Sequence, residues 1–254
     1  MKNSAPISQC LILAGGLGAR LGDLTRSCPK PMLEVAGRPF ICWLLRQAAG
    51  FGFRRFLLLA GHLGRVVKDY FSQDRIDGLP ENTVIETLVE PEPLGTAGAL
   101  KAAAGRLDDR FLLLNGDSFF LCDISQLVRP FQFPATWGRL ALTRAAGPGR
   151  YGSVLASGPK ITGFREKAEL ASPGPEFMNM GLYLLGREIL EAIPPGRGSL
   201  ETEIFPRLAA QGRLEAQVFE PAFFIDIGVP ADFARAQAAL PAALAAQDSL
   251  LRPS

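Results

Sequence analysis

A short apolar run that ends in a glycine-rich turn constrains this sequence more than any other feature. The run from Cys10 to Leu13 has the length and the bulky side chains of a buried parallel strand, and GGLGAR at residues 15–20 follows it. Glycines let the backbone turn sharply and bring bare N–H groups against a ligand, as phosphate-binding loops require. The pattern therefore predicts an α/β fold whose first loop holds a phosphate-bearing ligand.

Two cations near this loop suit a polyphosphate ligand. Arg20 lies in the loop itself, and Lys30 stands between Pro29 and Pro31. The ring of Pro31 biases Lys30 toward an extended backbone, so the segment resists helix formation and can present its ammonium group at a fixed place. We predict that Arg20 and Lys30 face the phosphates.

The loop alone does not identify its ligand, because a strand followed by glycines is common to doubly wound α/β folds. Leu21 stands where the dinucleotide-binding fingerprint has its third glycine, and no Gly-Lys-Ser/Thr sequence follows as in a Walker A loop. A nicotinamide-dependent oxidoreductase is therefore an alternative. It would be favoured if the protein bound a nicotinamide cofactor and did not bind a nucleoside triphosphate.

Two carboxylates occupy comparable places at the ends of predicted strands. Asp117 follows the buried run 111–114, and Asp226 follows the apolar residues 223–225 shortly before Pro230 opens a helix. Ligands bind beyond the carboxyl ends of the strands in open α/β sheets. The positions of both acids therefore predict two ligands for a metal ion, whereas the alternative role of Asp117 is to cap the next turn.

The complete pattern resembles the signature of the sugar-1-phosphate nucleotidyltransferases, in which an apolar strand, GGxGxRL, KPM and a turn of small residues precede a helix. PLGTAGAL at 93–100, NGD at 115–117 and NMGLY at 179–183 resemble further segments of the same family. The resemblance extends from Leu11 to about Gln237. Within the family it is closest to the D-glycero-D-manno-heptose 1-phosphate guanylyltransferases.

The resemblance implies a fold and a domain organisation. The fold is α/β, with a Rossmann-like, open, mixed and mainly parallel sheet flanked by helices. We expect residues 1–254 to form a single nucleotidyltransferase domain, with a nucleotide-binding half at about 8–130 and a sugar-binding half at about 131–240.

The resemblance also implies roles for individual residues. Arg20 would stabilise charge on the triphosphate and Lys30 would bridge the two phosphates, so both are predicted to be catalytic. Asp117 and Asp226 would hold Mg²⁺, a hard cation that prefers oxygen ligands. The nucleotide is expected to contact Leu13, Ala14, Gly15, Gly16, Gly18, Arg20, Glu90, Gly95, Thr96, Asn115 and Gly116. The sugar is expected to contact Tyr151, Gly152, Glu166, Lys167, Asn179 and Gly181.

Two of these segments also carry local structural predictions. Thr96 is placed to cap a helix that runs to Leu107, and the free N–H groups of that helix could bind an anion or a base edge. Strand alternation puts Asn179, Gly181 and Tyr183 on one face, where they would face a cleft. The alternatives are a plain capped helix packed on a sheet and a core strand with a buried asparagine.

The implied reaction joins a nucleoside triphosphate to a sugar 1-phosphate and releases pyrophosphate. GTP and D-glycero-D-manno-heptose 1-phosphate are the first substrates to consider. Since the sugar phosphate is already an anion, its attack needs alignment and positive charge more than a strong base. One histidine in the whole chain, His62, is compatible with such chemistry.

Other substrates and another class of protein remain as alternatives. Glucose-, mannose- or muramate-1-phosphate enzymes that use UTP, dTTP or GTP differ only in substrate, and His62 occupies a place where the family often has tyrosine. A non-catalytic sugar-nucleotide sensor is expected to lack the lysine or the metal ligands, whereas Lys30, Asp117 and Asp226 are present.

Composition narrows the remaining classes. A net charge of +2 with 20% charged residues gives no concentrated basic character for binding nucleic acid or an acidic membrane surface. Four scattered cysteines and one histidine favour neither a zinc site nor a disulfide framework. No signal peptide or membrane-spanning run is recognised, so we expect a cytoplasmic protein whose partners are its two substrates. A homo-oligomer stays open.

Overall fold

The computed structural model describes residues 7–72, 76–144, 153–165, 176–220 and 223–251. In chain order its strands are β1 (Gln9–Leu13), β2 (Glu34–Val35), β3 (Arg38–Pro39), β4 (Arg55–Ala60), β5 (Val84–Val89), β6 (Arg110–Asn115), β7 (Ser118–Leu121), β8 (Gly138–Arg144), β9 (Ser153–Ser157), β10 (Lys160–Arg165), β11 (Glu176–Gly186), β12 (Leu214–Val218) and β13 (Phe223–Asp226). Its α-helices are α1 (Phe40–Gly50), α2 (Gly64–Phe71), α3 (Gly95–Ala102), α4 (Ile124–Leu127), α5 (Ile189–Ala192), α6 (Phe205–Ala210) and α7 (Pro230–Leu251). Short 3₁₀ helices lie at Ala19–Thr25, Lys30–Met32 and Ala104–Arg106, and a π-helical turn lies at Leu200–Ile204.

The first half of the chain contributes four parallel strands to a sheet whose strand order, over the described residues, is β5-β4-β1-β6-β11-β8-β12-β10-β9. β4 and β6 both pair with β1 in parallel, and β5 pairs in parallel with β4. The chain passes through α1 and α2 on its way to β4 and β5, and then returns through α3 to the other side of β1. The strand order therefore reverses between β1 and β6, and such a switch point is where open α/β sheets bind ligands.

The second half of the chain departs from the predicted open, mainly parallel sheet. β11 pairs antiparallel with β6 and β8, and its first residues also pair with β9, which closes β11, β8, β12, β10 and β9 into a ring. Among the described residues this sheet has four parallel and five antiparallel pairings. Only Gly158 and Pro159 separate β9 from β10, and so short a connection allows only an antiparallel hairpin. The mixed sheet flanked by helices is confirmed, whereas the prediction of a mainly parallel, open sheet is wrong for this half.

Burial on both faces explains why the parallel strands are continuous apolar runs. Cys10 and Ile12 belong to one hydrophobic core, whereas Leu11 belongs to the core on the opposite face. Successive side chains of a strand point to opposite faces, so both faces of β1 must be covered. Helices α1 and α7 contribute to the first core and α3 and α6 to the second. The runs predicted as buried strands at 10–13 and 111–114 are accordingly found in β1 and β6.

The two predicted halves share this sheet, since β1, β4, β5 and β6 come from the first half and β8 to β12 from the second. β7, which follows β6 after a two-residue turn, pairs with β13 in a separate two-stranded sheet. β2 pairs with β3 in a small hairpin. As predicted, Pro230 begins the helix that follows β13. None of the helices within the described ranges is long and apolar enough to cross a bilayer.

Candidate active site

A cleft of about 310 Å³ opens at the switch point between β1 and β6. Its walls come from the loop after β1, the 3₁₀ helix that begins at Lys30, the segment from the end of β5 into α3, the end of β6 and one further loop. The lining residues are Leu13, Gly15, Gly16, Leu17, Lys30, Pro31, Glu90, Pro93, Gly95, Thr96, Ala99, Asn115, Gly116, Asp117 and Arg197. The volume lies at the lower end of the range of about 300–1,000 Å³ that is typical of small-molecule sites.

The glycine loop lines this cleft with residues 15–17. Gly18 adopts a left-handed backbone with φ of 65°, and a Cβ there would lie 2.7 Å from Cγ2 of Thr25. The Thr25 hydroxyl donates to the Gly18 carbonyl at 3.1 Å, which holds the end of the loop in place. Among the described residues, no backbone acceptor is found for the N–H groups at 15–17. Such a run of unpaired donors is suited to binding an anion.

The end of β6 lies unusually close to the end of β1. The N–H of Gly116 donates to the carbonyl of Leu13 at 2.9 Å, and a Cβ at Gly116 would lie 2.3 Å from that oxygen. On its other side, Asn115 packs against Gly181 of β11, where a Cβ would lie 2.9 Å from Cβ of Asn115. The turn that carries Asp117 is therefore held between its two neighbouring strands.

Lys30 joins the two carboxylates that were predicted to bind a metal ion. Its Nζ lies 2.7 Å from Oδ2 of Asp117 and 3.4 Å from Oδ1 of Asp226. The Lys30 side chain is 9% exposed, compared with 38% for Asp117 and 19% for Asp226. The antiparallel pairing of β7 with β13 places Asp226 opposite Ser118 and so beside Asp117. The structure therefore brings together two acids that were identified separately in the sequence.

The two carboxylates form a donor set that fits Mg²⁺. Hydrogen bonds orient both groups: Ser118 Oγ donates to Oδ1 of Asp117 at 3.1 Å, and the Gly228 N–H donates to Oδ1 of Asp226 at 2.6 Å. Mg²⁺ prefers oxygen ligands and usually keeps several waters beside one or two carboxylates and substrate phosphates. Within the described ranges no group of three or more His, Cys, Asp or Glu side chains suited to a metal is found. The two carboxylates are therefore suited to a metal ion whose other ligands are waters and phosphate oxygens.

Glu90 brings a further carboxylate to the wall formed by the end of β5. Its Oε2 accepts the Leu94 N–H at 3.0 Å, and Cβ atoms at Gly15 and Gly61 would lie 3.1 Å from its two oxygens. Burial raises the pKa of Glu90 above its ordinary value, and the hydrogen bond from Leu94 partly offsets this effect. No salt bridge to Glu90 is found in the part of the chain that the structure describes. A ligand with N–H donors would satisfy this carboxylate.

The start of α3 packs against the loop 195–199 so closely that only glycine fits. A Cβ at Gly95 would lie 2.4 Å from the Gly198 oxygen, and a Cβ at Gly98 would lie 2.5 Å from the Gly196 oxygen. Gly95 also has a positive φ of 70°, which side chains rarely adopt. Two glycines of the PLGTAGAL segment therefore serve the docking of this loop.

This packing places Arg197 in the lining of the cleft. Arg197 is a cation in the site that the sequence analysis missed. The sequence offers a weak signal for this residue. Arg197 stands between Gly196 and Gly198, and Ser199, which follows them, caps the turn at 200–204. Such a glycine-flanked arginine before a cap indicates a loop that could bring a cation close to a ligand.

Thr96 does not cap α3, and this prediction was wrong. The helix begins at Gly95, its N-cap is Leu94, and it ends at Ala102 rather than at Leu107. The Thr96 hydroxyl instead donates to Oε2 of Glu201 at 2.7 Å and accepts the Leu200 N–H at 2.8 Å. A charged acceptor makes a stronger hydrogen bond than a neutral one, so the hydroxyl ties α3 to the loop that carries Arg197.

Most of the predicted nucleotide contacts are assembled around the cleft. Those that line it are Leu13, Gly15, Gly16, Glu90, Gly95, Thr96, Asn115 and Gly116. Ala14 is fully buried, and Gly18 packs against Thr25 and Lys30. Arg20 is exposed on the 3₁₀ helix Ala19–Thr25 and is not part of the cleft lining. Of the two predicted catalytic cations, the structure thus places Lys30 in the cleft and Arg20 outside it.

The predicted sugar contacts are only partly described. Those that lie outside the described residues are Tyr151, Gly152, Glu166 and Lys167. Neither Asn179 nor Gly181 lines the cleft, although Gly181 contacts Asn115, which does.

The predicted shared face of Asn179, Gly181 and Tyr183 is interrupted. The register between β11 and β8 shifts between Asn179 and Tyr183, and Gly181 has a φ of 71° there. The Asn179 side chain bridges the irregularity, since its Oδ1 accepts the Gly181 N–H and its Nδ2 donates to Tyr183 Oη, each at 3.0 Å. Tyr183 is completely buried, which raises the pKa of its hydroxyl, so it belongs to the core rather than to a cleft.

The glycine loop, the lysine between two strand-end acids and the cleft at the switch point define an α/β protein whose cleft is suited to an anionic ligand. The family profile described as nucleotidyl transferase matches residues 9–243, and the chain belongs to this family. The family predicted from the sequence motifs is thereby confirmed.

Relatives with curated functions include two kinds of guanylyltransferase. The chain is 34% identical over 244 residues to the mannose-1-phosphate guanylyltransferase of Mycobacterium tuberculosis, covering 94% of this chain and 66% of that protein. It is 30% identical over 232 residues to the D-glycero-alpha-D-manno-heptose 1-phosphate guanylyltransferase of Aneurinibacillus thermoaerophilus, covering 90% of this chain and 96% of that protein. The chain thus spans slightly less than two thirds of the mannose relative's length.

A solved structure has the same fold over nearly the whole chain. The crystal structure of HddC from Yersinia pseudotuberculosis complexed with GMP-PN matches with a TM-score of 0.76 and 29% identity, covering 91% of this chain and 98% of that one.

Proposed function

We propose that this chain transfers a nucleotidyl group from GTP to a sugar 1-phosphate and releases pyrophosphate. The observation that carries the proposal is the contact of Lys30 with Asp117 and Asp226 beside a loop whose N–H groups at 15–17 have no backbone acceptor among the described residues. This arrangement offers an anion site and a cation in the cleft, with a proposed metal-binding pair at its edge. The similarity to guanylyltransferases supports GTP as the nucleotide.

The chemistry of this reaction suits a site without a histidine base. An oxygen of the sugar phosphate forms a bond to the α-phosphorus, the bond from that phosphorus to the β-phosphate oxygen breaks, and pyrophosphate leaves with the electron pair. No proton has to be removed, because the attacking phosphate is already an anion. The chain must therefore align two polyanions and neutralise their charge, which unpaired N–H groups and the ammonium of Lys30 can do.

We propose Asp117 and Asp226 as the protein ligands of Mg²⁺. When bound there, the ion would supply positive charge to the phosphates. The Ser118 hydroxyl and the Gly228 N–H orient the two carboxylates, so both acids keep a defined position at the edge of the cleft. Lys30, which contacts both acids and lines the cleft, is the group of the chain best placed to hydrogen-bond the phosphate oxygens.

Glu90 supports guanine as the base. A carboxylate accepts hydrogen bonds at both oxygens, and the Watson–Crick edge of guanine presents two adjacent N–H donors at N1 and N2. Uracil and thymine present one N–H between two carbonyl oxygens, and adenine and cytosine present one donor beside an acceptor. The half-buried Glu90, without a cationic partner among the described residues, therefore favours guanine over the other bases.

The remaining predicted contacts stay proposals for the same substrates. Arg197 is added to them as a second cation of the cleft, and Arg20 is kept as a charge-stabilising residue next to the glycine loop. The sugar contacts are proposed to be Tyr151, Gly152, Glu166, Lys167, Asn179 and Gly181. The nucleotide would then bind in the half at about 8–130 and the sugar in the half at about 131–240, within a single domain that acts in the cytoplasm.

D-glycero-D-manno-heptose 1-phosphate is the proposed sugar substrate, in line with the motifs of the sequence and the heptose-specific relative. Mannose 1-phosphate is a second candidate, which the 34% identical mannose-1-phosphate guanylyltransferase favours. The two sugars share the configuration of the mannose ring, so the pocket must distinguish them at the extra carbon of the heptose.

The test is pyrophosphate release in the presence of Mg²⁺. GTP, ITP, UTP, dTTP, CTP and ATP are each combined with heptose, mannose, glucose and N-acetylhexosamine 1-phosphates. We expect release with GTP and the heptose phosphate, and weaker release with ITP because inosine lacks the N2 amino group. Release with a different pair would change the assigned substrates and leave the assigned reaction unchanged. A folded protein that releases no pyrophosphate with any pair would contradict the proposed function.

A further inference from the structure

We propose that Lys30 is an internal competitor for the metal ion. Its ammonium group lies between Asp117 and Asp226, so a divalent ion binds there more tightly once a phosphate draws the ammonium into the cleft. The inference rests on the proposed function, because it takes these two acids as the metal ligands. It adds a coupling between metal and phosphate that is built into the protein itself.

The ammonium of Lys30 contacts one oxygen of each carboxylate. Nζ of Lys30 is 2.7 Å from Asp117 and 3.4 Å from Asp226, and a Cβ at Gly228 would lie only 3.0 Å from that nitrogen. A Cβ at Gly228 would also lie 2.8 Å from Oδ1 of Asp226. The ammonium is thus enclosed by both carboxylates and the backbone at Gly228.

The charges of the cluster make this contact a barrier to metal binding. Two carboxylates and one ammonium leave a net charge of −1, whereas the two carboxylates alone would carry −2. With its side chain only 9% exposed, the ammonium is weakly screened by solvent, so a divalent ion at contact distance would be repelled. While the ammonium contacts the two acids, it therefore weakens the binding of a metal ion to them.

The backbone of Lys30 stays in place while its side chain moves. The Met32 N–H donates to the Pro29 carbonyl at 2.7 Å and the Leu33 N–H donates to the Lys30 carbonyl at 3.2 Å, which secures the 3₁₀ turn. Lys30 also lines the cleft together with the glycine loop, whose unpaired N–H groups can bind a phosphate. A phosphate bound on that loop would therefore offer the displaced ammonium a favourable contact inside the cleft.

Metal and phosphate affinities are then linked through one side chain. A phosphate that holds the ammonium in the cleft strengthens metal binding, and by reciprocity the metal strengthens phosphate binding by the same factor. Without phosphate, Lys30 keeps the acid pair largely neutralised. Removing the ammonium should consequently strengthen metal binding to the nucleotide-free protein, although it removes a proposed catalytic group.

The experiment measures Mn²⁺ binding to the nucleotide-free full chain by electron paramagnetic resonance of the free ion. We expect Lys30→Met to bind Mn²⁺ at least about tenfold more tightly than the wild type, a coupling of ordinary size. Arg106→Met removes a cation that pairs with Glu86 outside the cleft lining, and it should leave the affinity unchanged. The double variant Lys30→Met/Asp117→Asn should lose the gain, which assigns the tightened site to the acid pair.

An Mn²⁺ affinity of Lys30→Met that equals or falls below that of the wild type would overturn the inference, as would an equal gain in Arg106→Met. Should Lys30→Met not fold, acetylation of Lys30 in the wild type, read by mass spectrometry, replaces it. Saturating Mg²⁺ should then accelerate acetylation of Lys30, and an unchanged rate would overturn the inference. Pyrophosphate release by the wild type is measured in parallel, so a failure of the proposed function is recognised separately.

Discussion

Asp226 lies opposite Ser118 in the antiparallel pairing of β7 with β13, and this register sets its carboxylate beside that of Asp117. The N–H of Ile227 also donates to the carbonyl of Asp117 at 3.0 Å, which continues the contact past the end of the strand. Both acids then reach Lys30. The two-stranded sheet, rather than the large one, therefore assembles the proposed metal site.

The first prediction concerns this acid pair. Asp117→Asn and Asp226→Asn should each lower kcat for pyrophosphate release by about 10²-fold or more, because each removes one charged ligand that stabilises phosphate charge. Rates are measured across Mg²⁺ concentrations, with circular dichroism as a check of the fold. Asp123→Asn is the matched control, since Asp123 caps α4 and lies outside the cleft lining. Wild-type rates in both variants would remove the acids from the site.

The second prediction concerns the arginine that the sequence analysis missed. Arg197→Met should lower kcat/KM by about tenfold or more, mainly through a higher KM, because a cation that holds a phosphate equally in the ground and transition states affects binding. Arg106→Met is the control, since Arg106 pairs with Glu86 on the exposed surface at 3.3 Å and does not line the cleft. An unchanged KM for both substrates in Arg197→Met would exclude a phosphate contact.

The third prediction contrasts two glycines. Gly98→Ala should destabilise the protein by about 1–3 kcal/mol, because its Cβ would lie 2.5 Å from the Gly196 oxygen and overpacking outweighs the better helix propensity of alanine. The same change should raise KM, since it displaces the loop that carries Arg197. Gly105→Ala is the control and should be neutral or stabilising, because nothing lies within 4 Å of its Cβ position. Urea unfolding measures both, and equal effects would contradict the proposed docking of the loop.

Local patterns in the sequence were sufficient for the elements that local physics determines. The apolar run at Cys10 to Leu13 predicted a buried strand, which is found in β1, and the left-handed backbone at Gly18 is one that glycine adopts easily. The positions of Asp117 and Asp226 at strand ends were also predictable, because each acid follows shortly after an apolar run that has the length of a strand. These features depend on neighbours a few residues away.

Contacts between distant segments were not readable in the same way. Nothing near Thr96 shows that Glu201 will attract its hydroxyl, and Arg197 enters the cleft only because Gly95 and Gly98 admit its loop. The closure of the second half depends on the pairing of β9 with β11, which no local pattern encodes. The family resemblance supplied the order of the segments but not these contacts.

The fourth prediction concerns the stability of the protein as a function of pH. Because burial raises the pKa of Glu90 in the folded state, the folded protein keeps this proton to a higher pH than the unfolded chain does. The free energy of unfolding therefore falls as the pH rises through that window, and an ionised Glu90 costs stability above it. Glu90→Gln cannot ionise, and glutamine can still accept the Leu94 N–H. Its stability relative to the wild type should increase from pH 4 to pH 7 in urea unfolding, and a constant difference would contradict the assignment.

The fifth prediction concerns a buried ion pair in the closed half of the sheet. Arg139 and Glu215 lie opposite each other on β8 and β12, with side chains only 3% and 1% exposed. Arg139 donates to three backbone carbonyls of the segment 127–130 as well as to Glu215. Glu215 Oε1 accepts two backbone N–H groups and the hydroxyl of Thr136. The pair thus secures the whole segment that leads into β8.

Removing only the arginine should be far more harmful than removing an exposed one. Arg139→Met leaves the Glu215 charge buried without a counter-ion, and we expect a loss of about 3–5 kcal/mol in the free energy of unfolding. Arg55→Met, which breaks an ion pair with Asp108 whose side chains are 52% and 36% exposed, should cost less than about 1 kcal/mol. The double variant Arg139→Met/Glu215→Leu should be more stable than Arg139→Met, because it no longer buries a lone charge. It should not regain wild-type stability, since the N–H groups at 132 and 133 lose their acceptor. Urea unfolding of the four proteins decides the point, and equal losses in Arg139→Met and Arg55→Met would show that burial does not govern this pair.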